Sequence, residues 1–585
     1  MASSLDDDFE RVASLSDLRE AGRLRITADG RSIGLFHHED EVYAVDDRCP
    51  HMGFPLTRGT VEDGVLTCHW HHARFELSCG DTFDPFADDV PTYPVEVRGD
   101  DVWVDVDPEP AEPPAEHWAR RLEDGLEEDL SLVIAKSVIG LDDADVPDEE
   151  PLRIGVEFGT SYREGGWSSG LTTLGVMANL AEYVDRADRR RALSVGLAAV
   201  SDDCAGEAPF FAQDAFRADD LSASRLEVWF RENVEVRDAD GAERVLRTAI
   251  REGLPPSAIV SMLVAAATDH HYLDTGHVVD FVNKAVETVE RLGWDQADAV
   301  LPSLVPGLAA AARAEERSSW RQPVDLATLL DETFEDLPGL VEAGADADAD
   351  WREPAGFVET LLGDDPHAIV DALVAAVEGG ASAEELAECV AYAAACRVAR
   401  FGTGNEFADW NTVHHTFSYA NAVHSLSGRT DGWEVYRGVF DAAASVYLDR
   451  FLNTPPAPIP EPGGSDRDPA AVLDSLLETF EVEGPDEVRR AGELVAEYVD
   501  AGGDVPRLQA ELCGVLVRED AGFHPRQNLE AAFRLHGVFE DPARKRTALV
   551  AAARYLSAHT PTRRAGEQTF RIADRLNRGE RIHEE

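Results

Sequence analysis

CPHMGFPL (residues 49–56) and CHWHHARFELSCG (residues 68–80) are the stretches that decide how the N-terminal part of this chain folds. They reduce to C-x-H and C-x2-H, with Cys68 seventeen residues after His51. Each loop offers one thiol and one imidazole. A metal group held by both therefore receives two sulfur and two nitrogen donors, and the two loops must close on it together. Gly53, Pro55 and Gly59 are turn formers in and after the first loop, and Gly80 closes the second. A structural zinc ion takes the same donor types. Its paired ligands usually have two or more residues between them, which C-x-H lacks.

The flanks of both loops read as strands. DEVYAVDDRCPH (40–51) feeds the first loop and GVLTCHWH (64–71) the second. YPVEVRGDDVWVDV (93–106) alternates apolar and polar residues around a Gly-Asp turn and reads as a closing hairpin. On these strands and loops, residues 12–106 resemble the Rieske ferredoxin family, which includes the small ferredoxins of ring-hydroxylating oxygenases and nitrite reductase small subunits. The resemblance implies a small antiparallel β domain holding a 2Fe–2S cluster. Cys49 and Cys68 would hold the iron that stays ferric, and His51 and His71 the iron that accepts the electron. The chain departs from the family at two positions. His69 stands where a Pro usually follows the second Cys, and His72 where a Gly usually follows the second ligand His. A Gly there serves a positive φ or a close approach, and His tolerates the left-handed region better than most residues. Of His69, His71 and His72, spacing favours His71 as the ligand.

High-potential Rieske proteins of respiratory complexes carry an extra Cys in each loop, joined as a disulfide. The corresponding positions here are Phe54 and Trp70. Those proteins also carry a Ser and a Tyr whose hydroxyls bond the sulfurs, where this chain has Ala73 and Phe75. Hydrogen bonds to sulfur raise the potential. The resemblance thus implies a potential low in the Rieske range, nearer about −150 mV than +300 mV.

The chain has 585 residues, 113 Asp and Glu against 53 Lys and Arg, and a net charge of −60. Lys136, Lys284 and Lys545 are its only lysines. Acidic runs such as Asp6-Asp7-Asp8 and ADADAD (345–350) are dispersed along it. This composition resembles cytosolic proteins of extreme halophiles, in which carboxylates hold a hydration shell. In molar salt the Debye length is about 3 Å, so steering of a basic partner is nearly abolished. The absence of a basic stripe argues against nucleic-acid binding. Cys79, Cys204, Cys389, Cys396 and Cys513 have no disulfide-framework spacing. With no signal peptide, twin-Arg leader or apolar run of membrane length, the expectation is a cytoplasmic protein that does not engage a membrane.

Beyond the β domain the sequence turns rich in Ala, Leu, Glu, Arg and Val. The expected fold class is multidomain α+β, a small antiparallel β domain (1–108) followed by a large, mainly α-helical region. The expected divisions are an acidic Pro-rich linker (109–126), a helical domain with His clusters (127–453), a Pro-rich loop (454–469) and a C-terminal helical part (470–585). SAEELAECVAYAAACRVAR (382–400) is a helix opened by a Ser382/Glu385 capping-box pattern. Other helices are expected over 255–268, with Pro in its first turn, 278–292, 433–452 and 469–480.

Histidines cluster in this region, in DHHYLDTGH (269–277), WNTVHHTFSYANAVH (410–424) and, more thinly, FHPRQNLEAAFRLH (523–536). His277, Phe281 and Asn283 match His415, Tyr419 and Asn421, which suggests a repeat of 138 residues. In each copy the His and the aromatic lie one helical turn apart, on one face. His270, His277, His414, His415 and His424 are candidate catalytic or metal-binding residues, with Asp269, Asp274 and Asp409 as nearby acids. They could hold a second, non-haem metal between helices. The alternative is polar packing in a duplicated helical unit. Rieske oxygenase subunits build their catalytic domain on a sizeable β-sheet, unlike this region. His271 and His277 come nearest the spacing of their metal-binding histidines but lack the surrounding sequence.

The expected function is electron transfer. A Rieske centre would relay single electrons between a soluble reductase and the helical region or a separate redox enzyme. The alternative is a redox-sensing scaffold whose helical part docks a partner.

Overall fold

Alternation of apolar and polar residues gives ten strands among the described residues before residue 107: β1 (Phe9–Ser14), β2 (Arg23–Ala28), β3 (Arg31–His38), β4 (Glu41–Asp46), β5 (Thr60–Glu62), β6 (Val65–Thr67), β7 (Arg74–Glu76), β8 (Thr92–Tyr93), β9 (Val95–Arg98) and β10 (Asp101–Asp105). The structure, a computed structural model, describes residues 9–110, 112–218, 221–345, 351–461, 463–580 and 582. The acidic runs at 6–8 and 346–350 therefore lie outside the described residues.

The strands pair antiparallel in three sheets, ordered β1-β10-β9, β2-β3-β4-β8 and β5-β6-β7. The central strands β3 and β4 are buried on both faces. Leu35 and Ala44 point into a core shared with Leu18, Val102 and Val104. Their neighbours Phe36 and Val45 point the opposite way, into a core that also contains Cys49, Leu56, Leu66, Cys68 and Phe75. The two-residue period of a strand thus feeds two cores from one ribbon. The expected closing hairpin is β9–β10, with Gly99 at φ +71° in its turn.

After β10 the chain is helical among the described residues. Helices α1 (Pro114–Glu127) and α2 (Ser131–Asp143) come first, followed by a long series that includes α3 (Ser169–Leu180), α4 (His277–Leu292), α5 (Asp409–Ser427) and α6 (Phe523–Val538), and then by α7 (Ala565–Asn577). The capping box at Ser382 and Glu385 is formed. No described helix is long and apolar enough to cross a membrane.

The division of the chain differs from the expected one. One compact unit comprises Met1–Ile154 and Ala565–Glu585, the other Gly155–Arg564. The expected linker 109–126 contains most of α1. Its Pro-rich run ends in a proline at the first helical position, which starts a helix instead of breaking one. The β domain does not end at 108, because α1 and α2 belong to its unit. α7 joins them through Phe570 and Ala573 packed on Ala135 and Ile139, a contact across more than four hundred residues that no local pattern announces. Nor does the loop at 454–469 separate two helical parts. Arg554, beyond the loop, donates to the carbonyls of Ala399 and Phe401, before it.

In the larger unit, α3 packs on α4, α4 on α5, α5 on α6 and α6 on α3. The core of this four-helix bundle is polar. Lys284 is buried between Glu287 at 2.8 Å and Glu530 at 2.7 Å. Arg534 donates to Asn421 and His424, both at 3.1 Å. Gln527 bonds the buried Asp280.

Candidate functional site

The first loop leaves β4 and the second joins β6 to β7, so both rest on paired strands. At the base of the first, Asp47 accepts from the N–H of Thr57 at 2.7 Å and pairs with Arg25 at 3.3 Å. Cys49 N–H donates to Phe54 O and Gly53 N–H to Cys49 O, each at 2.8 Å, with Gly53 at φ +76°. The second loop repeats the device: Cys68 N–H donates to Ala73 O at 2.8 Å, and His72, next after His71, takes the left-handed conformation at φ +64°.

 At Gly80, φ is +85° and an added Cβ would collide with Val90 O, so only glycine fits there.

These loops bring both thiols and both imidazoles together. The rings of His51 and His71 are 4.8 Å apart, edge to face. Cys49 and Cys68 are buried side by side and hydrogen-bonded. That bond, followed by burial, pushes the Cys49 thiol up, and the same bond holds Cys68 down at about 6. The N–H groups of His51 and Met52 favour a Cys49 thiolate, and those of Trp70 and His71 a Cys68 thiolate. Burial, then His71 and Lys136, hold His51 down at about 4, so its imidazole is neutral near pH 7. His51 Nδ1 is buried without a hydrogen-bond partner. Such an atom is costly unless something coordinates it. Two thiols, two imidazoles and an orphaned buried nitrogen fit a cluster with thiolate and imidazole irons. His69 points its Nε2 to Thr60 Oγ1 at 3.3 Å instead.

The neighbours of the loops are apolar. The rings of Phe54 and Trp70 face each other at 6.0 Å. Ala73 and Phe75 are fully buried and bring no hydroxyl to the site. Beside the first loop, Lys136 on α2 donates to Pro50 O at 3.1 Å. It also approaches Asp88 at 3.9 Å, and Asp88 pairs with Arg121 at 3.1 Å and His117 at 3.2 Å. Burial pushes the Asp88 carboxyl up, but His117, Lys136 and Arg121 outweigh it and hold it at about 2. The sequence reading passed over this network, although Lys136 is one of only three lysines in an acidic chain.

In the helical unit the structure separates the candidate histidines. His270 sits between Glu235 at 2.5 Å and Glu315 at 2.7 Å. His424 pairs with Arg534. His271 does not join His277, because Asp441 at 2.7 Å and Asp331 at 3.2 Å clasp it. Asp269 is bound by Arg231 and Arg437, and Asp274 accepts the Ala312 N–H. Asp409 accepts the Glu406 N–H. None of these three acids is a ligand partner of the histidines. His277 and His415 do converge, with ring centroids 4.6 Å apart, and His524 joins them. His414 is fully buried beside them. Burial holds His277 down, and burial with the neighbouring imidazoles holds His415 at about 2 and His524 at about 4. His524 was missed because its sequence group is thin and shares no spacing with the other two.

The sequence profile of the Rieske [2Fe-2S] domain matches residues 8–94, and no family profile matches the helical remainder. The chain is 32% identical over 99 residues to the ferredoxin component of the naphthalene 1,2-dioxygenase system of Pseudomonas putida, covering 17% of this chain and 94% of that protein. It is 38% identical over 94 residues to the 3-phenylpropionate/cinnamic acid dioxygenase ferredoxin subunit of Escherichia coli O9:H4 (strain HS), covering 16% of this chain and 88% of that one. Among solved structures, the ferredoxin of carbazole 1,9a-dioxygenase from Nocardioides aromaticivorans IC177 is similar at 27% identity and a TM-score of 0.16, covering 17% of this chain and 97% of that one.

Proposed function

The chain belongs to the Rieske [2Fe-2S] domain family through its N-terminal residues, and from that premise we propose that it is a one-electron carrier whose cluster is held by Cys49, Cys68, His51 and His71. The observation that carries this reading is the convergence of the two thiols and two imidazoles between the loops. When bound, the cluster supplies a one-electron couple whose imidazole-bound iron takes the electron.

The chain's own residues set the conditions. Backbone N–H groups at positions 51, 52, 70 and 71 stabilise negative sulfur. The Cys side is buried, whereas His71 and Trp70 are exposed and offer a redox partner a short path. Ala73 and Phe75 withhold hydroxyl donors, which supports a midpoint low in the Rieske range, nearer about −150 mV than +300 mV. The ferredoxin relatives, components of dioxygenase systems, support an oxygenase-type enzyme as acceptor; a soluble reductase as donor, and the helical region as an alternative acceptor, complete the reading.

Purified protein is expected to hold two iron and two sulfide per chain, by analogy with the cluster stoichiometry, and to show a Rieske-type electron paramagnetic resonance signal on reduction. Voltammetry should find the midpoint below zero. A midpoint well above zero refutes the potential, and iron content unchanged by His71→Ala and Cys68→Ala refutes the ligand set.

A further inference from the structure

The polar core of the α3–α6 bundle ends in a group that electron carriage by the β domain does not use. His277 opens α4, His415 lies in the second turn of α5, and His524 is the second residue of α6. One ring nitrogen of each lies within 4.8 Å of the other two. His415 Nε2 and His524 Nε2 are 3.0 Å apart. Three nitrogens bound at about 2.0–2.1 Å to one tetrahedral ion stand roughly 3.3–3.5 Å from one another. The His415–His524 distance lies just below that value and no spacing in the set exceeds 4.8 Å, within the reach of ring rotations.

We propose that His277, His415 and His524 bind one divalent first-row transition-metal ion through three imidazole nitrogens, leaving a fourth position open to an exchangeable ligand.

Hydrogen bonding between histidines leaves the arrangement unexplained. It pairs His415 with His524 only. The ring of His277 makes no hydrogen bond among the described residues. Next to the group, His414 is fully buried, its ring 5.1 Å from that of His524, and its Nε2 has no partner. One buried and three half-buried imidazoles thus meet with a single hydrogen bond among them, and a shared cation would give them a common partner.

The backbone leading into the site is strained. Tyr272, Asp274 and Thr275 have φ of +44°, +46° and +59°, and Gly276 has +96°. Thr275 is β-branched, for which this region is an outlier. An added Cβ on Gly276 would lie 2.9 Å from the Tyr272 ring and 3.1 Å from Tyr419. Strain of this kind is costly and collects where a position matters. Here it delivers His277 to the first position of α4.

The chemistry of the donors narrows the ion. No carboxylate belongs to the set, which disfavours magnesium and calcium, whereas imidazole suits zinc, copper, iron and nickel. Phe281 and Phe523 wall one side, with centroids 5.5 and 5.6 Å from His277. The other cluster of candidate ligands, Asp88, Asp89 and His117, is neutralised by Arg121 and Lys136 and carries no such proposal.

The test uses the full chain with its cluster in place and Co(II) as the probe, so that cluster iron does not interfere. Co(II) titration is expected to give one site per chain with the intense visible bands of four- or five-coordination, perturbed by added azide. His277→Ala, His415→Ala and His524→Ala should each weaken binding at least tenfold, and His367→Ala, on another helix, should not. Zn K-edge absorption on the wild-type chain should find three nitrogen neighbours near 2.0 Å, which holds even if a variant fails to fold. Equal Co(II) affinity in wild type and all three variants, or a zinc shell without imidazole, overturns the proposal. Neither readout depends on the Rieske cluster, so failure here is distinct from failure of the electron-carrier reading.

Discussion

His72 shows how a single residue is judged by its backbone. It takes φ +64° next to a cluster ligand position usually followed by Gly in the family it resembles. An L-residue in that region pays a steric cost that Gly does not. We predict that His72→Gly leaves iron content and the visible spectrum intact. His72→Val, β-branched in a left-handed position, should destabilise the loop by about 1–3 kcal/mol and lower cluster occupancy in parallel purifications. Equal occupancy in the two variants would show that the loop relaxes freely. The departure at His72 was legible from the ligand spacing. The use of His69 was not, since its bond to Thr60 depends on where β5 runs.

At the scale of elements, α1 and α2 meet the β domain through charges. Asp88 is held down at about 2 by His117, Lys136 and Arg121 against its burial. His117 is raised, first by its hydrogen bond to Asp88. The depressed Asp88 contributes stability above its unfolded value of about 4, and that contribution is lost as pH falls toward 2. It amounts to roughly 2 kcal/mol for a shift of this size. The raised His117 contributes fully below its unfolded value of about 6.5, and its contribution is lost as pH rises through its folded pKa. Thermal melting of the N-terminal unit should therefore be highest between about pH 4 and 6.5. His117→Gln should flatten the alkaline side and, because His117 also helps hold Asp88 down, make the acid side shallower. A profile unchanged by that substitution would remove His117 from the account.

The bundle gives a second prediction at this scale. Lys284→Met would leave Glu287 and Glu530 facing each other in the core. Breaking a buried pair in this way costs about 3–5 kcal/mol, read as a lower denaturant midpoint of the helical unit. Adding Glu530→Gln should recover part of the loss, which a simple packing defect would not allow.

For the whole molecule, charge dominates. A net −60 makes self-repulsion a term that counter-ions relieve. Raising KCl from 0.1 M to 2 M should raise the melting temperature, and molar sucrose at low salt should not substitute for it. A melting temperature independent of salt would reject the halophile-like reading of the composition.

Strand alternation, turn residues and ligand spacing are local, so the β domain, its two loops and the four candidate donors at their tips were legible in the sequence. A 138-residue offset between similar short patterns also suggested pairing His277 with His415. Which histidines meet was set by the packing of distant helices. That packing set His270, His271 and His424 among charged partners and brought His524, 109 residues beyond His415, against it. It likewise put α7 with the β domain and Lys136 beside Pro50. These choices rest on packing between helices whose apolar faces look alike in sequence, so no local pattern distinguishes one partner from another.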